Sequence, residues 1–125
     1  MTLNEIRMIG TTDGDGDLTL TAPRSVFGHL DAVEWIDGDF ADGVDAVLSV
    51  TLTPSGVDRT LLTLTNANDD KWYHPRTLVQ TEAGADLTGT SGGDREKMII
   101  AGTLKLVISS GGATKTGGAI IYYHD

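Results

Sequence analysis

Residues 44–53 read VDAVLSVTLT, and their order decides the fold class. Val44, Ala46, Leu48, Val50 and Leu52 fall on one side, and Asp45, Val47, Ser49, Thr51 and Thr53 on the other. That is the period of two by which a strand turns one face to a core and the other to water. The same alternation sets Leu18, Leu20 and Ala22 against Thr19 and Thr21, and Leu62 and Leu64 against Thr63 and Thr65. It sets Leu104, Leu106 and Ile108 against Lys105 and Ser109. These segments are rich in threonine and β-branched side chains, which suit a pleated, half-buried surface. Shorter apolar runs at residues 98–101 and 119–123, with SVFGHLDAVEWI from Ser25 and LNEIRMI from Leu3, bring the expectation to about eight or nine strands. Leu48, Val50, Leu104, Leu106 and Ile108 are the expected core, and Gly28 marks a bulge or bend.

Turn-forming segments separate the runs: DGDGD, DGDFADG, TPSG, NANDD, GTSGGD and SSGGATKTGG. Their spacing is that of an all-β sandwich or barrel. DREKMIIAG could open a helix at Asp94 and Arg95, but the Gly-Thr that follows Ala101 cuts it short, so it reads as a strand.

The whole chain bounds what such a fold can do. At 125 residues it has the length of one domain, spanning 1–125. That length buries roughly two thirds of the surface of the unfolded chain. Its hydrophobic share of 39 % excludes native disorder. No apolar run approaches the roughly 20 residues of a membrane helix. MTLNEIRMIG lacks the basic stretch, apolar core and small-residue site of a secretory signal, so synthesis in a cytoplasm is expected. Without cysteine there are no disulfides, thiolate metal sites or thiol nucleophiles. A net charge of -9 repels phosphate backbones and anionic lipid, which argues against nucleic acid and membrane as partners.

Several motifs invite chemistry, and simpler readings outweigh it. TTDGDGDLTLTA, from Thr11, spaces Asp13, Asp15 and Asp17 like the first three ligands of an EF-hand. The position that needs glycine is Leu18, however, and the one that needs a bidentate glutamate is Arg24. The loop therefore reads as a hairpin turn with Asp-Gly pairs, and no metal is expected. Asp37, Asp39, Asp42 and Asp45 punctuate a Gly-rich connection around Phe40, which favours a loop ordered by Asx turns over a catalytic pair. GTSGGD has the wrong order for a serine-protease site, and GGATKTGG has Thr114 where a P-loop needs glycine before its lysine. His29, His74 and His124 are dispersed without ligand spacing. No catalytic residue and no cofactor are expected.

DDKWYHPRTL is different. Trp72, Tyr73 and Arg76 gather around Pro75, and aromatic and arginine side chains are enriched at protein interfaces. The three are the candidate partner-binding residues. The competing reading, of equal weight, is that Trp72 or Tyr73 plugs the core.

With DFADGVD, HPRTLVQTEAGADLTGTSGGDREKMIIAGTLKLVISSGGATKTGG and IIYY in view, the chain resembles a family of small tailed-bacteriophage proteins. The shared features are the acidic turn after a strand, the Pro-Arg step before an Ala-Asp-Leu-Thr-Gly loop, and a closing hairpin with Ser-Gly-Gly and Lys-Thr-Gly. They run from about Val33 to Tyr123. The resemblance implies a jelly-roll-like antiparallel β-sandwich acting as a capsid decoration, or cement, protein. Such a protein binds the outside of the head, with the major capsid protein as partner and a homo-oligomer on the shell. A carbohydrate- or receptor-binding module of a tail or neck is the first rival. An enzyme using the acidic cluster from Asp37 to Asp45 is the second, and it requires a carboxylate with a raised pKa in a cleft.

Overall fold

The computed structural model describes residues 2–86 and 95–125. Their regular elements are strands: β1 (Leu3–Thr11), β2 (Leu18–Ile36), β3 (Asp45–Leu52), β4 (Asp58–Leu64), β5 (Lys71–Tyr73), β6 (Arg76–Leu78), β7 (Arg95–Lys97), β8 (Ile99–Ser109) and β9 (Thr116–His124). The GTSGGD motif and the Asp94 that could have opened a helix lie outside the described residues. The chain is all-β, with one antiparallel sheet of seven strands in the order β1-β9-β2-β8-β3-β4, β5 also pairing β2. A separate pair joins β6 to β7.

The two apolar runs at residues 18–22 and 25–36 form one strand, β2, of 19 residues. From Leu18 to His29 it pairs β8, and from His29 to Ile36 it pairs β9, with β5 on Val33 to Trp35. Its register shifts between Thr21 and Ser25 and again between Leu30 and Ala32. Bulges of this kind bend a strand and let it pass from one layer to another. The sheet thereby folds over on itself. The first half of β2 lies with β8, β3 and β4, and the second half with β9, β1 and β5. Gly28 sits at the passage, where any side chain would run into the carbonyl of His124. On the far side, a side chain on Gly10 of β1 would come within 3.0 Å of Leu20.

One core fills the fold. Ile6 and Met8, Leu30, Val33 and Trp35, Val44 to Val50 in alternation, Leu104, Leu106 and Ile108, and Ile121 and Tyr123 all belong to it. The five core residues expected from alternation are each at most 2 % exposed. Leu106→Ala is expected to cost about 2 to 5 kcal/mol, because the cavity it leaves is walled by two strands that cannot collapse freely. Urea denaturation measures it, and a loss under about 1 kcal/mol would contradict this packing.

Two expectations need correction. Leu61, which the alternation leaves out, is buried beside Leu64 and the half-buried Leu62, because a bulge makes it the extra residue between the pairs Leu48–Leu62 and Ser49–Thr60. The DGDGD loop is a turn but does not close a hairpin. Its flanking strands β1 and β2 lie on either side of β9. The loop is held from outside instead: the Thr12 amide donates to the Lys115 carbonyl at 2.8 Å, and the Gly111 amide to the Gly16 carbonyl at 2.9 Å.

Candidate binding face

The outer face of the layer β1, β9, β2 and β5 carries the exposed aromatic surface. Because side chains alternate along each strand, the pairing sets Arg7, Ile120, Glu34 and Trp72 in one row across the layer. Glu5, Tyr122 and Ala32 form the next row. Trp72 is 50 % exposed and stacks on Tyr122, with ring centroids 5.2 Å apart and planes inclined by 22°. The Tyr122 hydroxyl donates to Glu34 Oε1 at 3.3 Å. Its pKa is raised by burial and then by the negative charges of Glu34 and Glu5, with Arg7 acting the other way. The phenol therefore stays a neutral donor at neutral pH. The Trp72 ring is thus held in a fixed orientation on an open surface, so little side-chain entropy remains to be lost when something covers it.

The three candidate residues from DDKWYHPRTL occupy different places. Trp72 faces outward. Tyr73 is half-buried against the core, and the Lys71 ammonium stands 5.2 Å from its ring centre. Arg76 is half-buried, its guanidinium donating to the Asp31 carbonyl at 3.1 Å and the Pro75 carbonyl at 2.8 Å. It ties β6 to β2. Trp72 finds its neighbours in Tyr122 and Glu34 instead. Glu34 was within reach of sequence reading, because it stands between Val33 and Trp35 in DAVEWI, whereas the uniformly apolar run 119–123 gives no sign that Tyr122 faces outward.

At the edge between the layers, Asp31 accepts from Lys97 Nζ at 2.5 Å and pairs with His124 Nδ1 at 2.9 Å. His29 stacks on His124 with centroids 5.3 Å apart. Burial alone would raise the Asp31 carboxyl, but its bonds and charge interactions with Lys97 and His124 outweigh this and hold it below 3.8. Stability from this pairing is present above the ordinary carboxylate value and lost as the pH falls through the lowered one. A cleft of about 340 Å³ adjoins the cluster, lined by His29, Arg59, Thr77, Glu96, Lys97 and Ile99. Two of the three histidines thus converge, while His74 lies in the link between β5 and β6. Among the described residues, no three His, Cys, Asp or Glu side chains are placed to hold a metal ion.

The carboxylates of the acidic loops accept from backbone amides, those of the first loop from its own and those of the second from distant segments. Asp13 Oδ1 accepts from the amides of Asp15 at 2.8 Å and Asp17 at 3.0 Å, and these bonds lower its pKa. In the second cluster, Asp45 Oδ1 caps the Asn66 amide at 3.0 Å, Asp39 Oδ1 accepts from the Thr116 amide, and Phe40 is buried against Trp35. Asp37 differs. Burial, then the charges of Asp70, Asp42, Asp69 and Asp39, push its carboxyl above 3.8, and its Oδ1 is buried with no hydrogen-bond partner. A carboxyl raised in the folded state opposes folding at neutral pH, and the penalty is relieved as the pH falls through the raised value. Asp37→Asn should therefore raise the melting temperature at pH 7, with the gain vanishing near pH 3. A thermal melt at the two pH values checks this, and a variant that melts lower at pH 7 would contradict it.

Compared with known proteins, the chain matches no protein-family model, no curated protein and no solved structure.

Proposed function

We propose that the protein is a structural virion protein that attaches to the outside of a tailed-phage capsid and stabilises it, with the major capsid protein as partner and no catalytic activity. The observation that carries this reading is the Trp72–Tyr122 stack, with Trp72 half exposed on the outer face of a four-strand layer. Aromatic anchors of this kind dominate the energetics of protein interfaces. The strand order adds support for a jelly roll. With the two halves of β2 counted separately, one layer runs β1, β9, second β2 half, β5, and the other runs first β2 half, β8, β3, β4. With the β6–β7 pair set aside, this order supports an eight-stranded jelly roll, a fold that viral capsid and lectin domains use. The family resemblance of residues 33–123 points the same way.

A protein that binds only the expanded, assembled shell stabilises it by mass action. Copies that bridge neighbouring capsomers add weak contacts through avidity. Made in the host cytoplasm, it would end on the capsid exterior. Co-sedimentation with heads lacking the protein tests this: saturable binding to expanded heads and none to unexpanded ones is expected. Equal binding to both, or to neither, would overturn the stabilising role.

A second reading has one observation in its favour. The flat Trp72 ring lies one strand from the Glu34 carboxylate, and an aromatic face beside a hydrogen-bonding carboxylate can take a sugar ring. Glycan binding by a tail or neck module would then be expected, and Trp72→Ala would abolish it.

A further inference from the structure

The main sheet ends at β4 on one side and at β1 on the other. Exposed edges are templates for strand pairing, and proteins commonly blunt them with bulges, short strands or proline. β4 carries the bulge at Leu61, and β5 has three residues. β1 runs nine residues in unbroken register with β9, and between Leu3 and Ile9 it contains neither proline nor glycine.

The direction of its free backbone groups follows from one bond. The Thr12 amide donates to the Lys115 carbonyl, which continues the β1–β9 register by one pair beyond Thr11–Thr116. Antiparallel strands alternate between bonded and non-bonded pairs. The even-numbered residues of β1 therefore bond to β9, and Leu3, Glu5, Arg7 and Ile9 turn their amides and carbonyls to the open edge. Their side chains lie on the outer face, with Glu5 and Arg7 exposed and Leu3 67 % exposed.

We infer that β1 pairs antiparallel with the β1 of a second copy, about a two-fold axis through Ile6. Only registers that match odd with odd residues can form the bonds. An axis through Glu5 sets that carboxylate against its own copy, and one through Arg7 does the same with two guanidinium groups. The axis through Ile6 sets Glu5 opposite the partner's Arg7, and symmetry repeats the pair. The same register places Leu3 opposite the partner's Ile9 and Ile6 opposite the partner's Ile6. LNEIRMI is thus a palindrome in size and an antipalindrome in charge. The pairing concerns the free protein and does not rest on the capsid reading, although it would join two Trp72 faces into one continuous surface.

Sedimentation equilibrium of the full chain across a concentration series tests the pairing, with a melt of each variant as the fold control. The wild type should form a reversible dimer. E5R and R7E should each weaken it about ten- to hundredfold, since each sets like charges opposite in two symmetric pairs. An equimolar mixture of E5R and R7E should associate again, because the hybrid pairs opposite charges at both positions. A wild-type monomer throughout, an odd-numbered ring, a dimer insensitive to the single changes, or a mixture that stays apart would each overturn the inference.

Discussion

Replacing Trp35 by alanine is expected to destabilise the protein by about 3 to 5 kcal/mol. The indole is fully buried, stacks on Phe40 with centroids 5.8 Å apart, and donates from Nε1 to the Ala67 carbonyl at 2.9 Å. Three parts of the fold meet there: β2, the acidic loop anchored by Phe40, and the link after β4, whose Ala67 amide donates to the Val44 carbonyl at 2.8 Å. Alanine would leave a cavity and an orphaned carbonyl together. Trp35→Phe separates the two costs, because it keeps most of the packing and loses only the donor, for about 1 to 3 kcal/mol. Denaturant unfolding of both variants measures the difference. A loss below about 1 kcal/mol for Trp35→Ala would mean that the bend of β2 is not supported from this point.

The second large effect is expected in binding. Trp72→Ala should lower stability by about 1 kcal/mol at most, the worth of an exposed ring stack. On the proposed capsid role, it should weaken attachment to expanded capsids by 2 kcal/mol or more, about thirtyfold in affinity. Tyr73→Ala should do the reverse, since that ring packs on the core. Melting each variant alone and then measuring its occupancy on heads stripped of the wild-type protein separates the two effects. Full occupancy by a folded Trp72→Ala variant would remove this face from the attachment site.

Much of the fold is legible in local alternation. Strands β3 and β8 pair with each other over Asp45 to Leu52, and each has a buried face that the period of two picks out directly. Leu61 escaped that reading because a bulge adds one residue without leaving any mark in composition. β2 escaped it for a related reason: Pro23, which has no amide hydrogen to give a ladder, and charged Arg24 separate two apolar runs, and only pairing with β8 and β9 in turn shows one bent strand. The candidate face was half legible. Trp72 could be named from its chemistry, but its partners Tyr122 and Glu34 come from strands 50 and 38 residues away in the chain (122 − 72 and 72 − 34). Their meeting depends on strand order, which local patterning does not encode. Tyr73 and Arg76 illustrate the converse, since residues adjacent in sequence separate when one side of a short strand faces the core.

The proposal that the protein is a capsid-bound structural component of a tailed phage is tested most directly by quantitative mass spectrometry of gradient-purified virions of a phage whose genome carries its gene. Peptides of this chain should be present in a fixed ratio to the major capsid protein and should remain after nuclease and mild salt washes. Their absence from intact particles, with the protein abundant in the infected-cell lysate, would contradict the account.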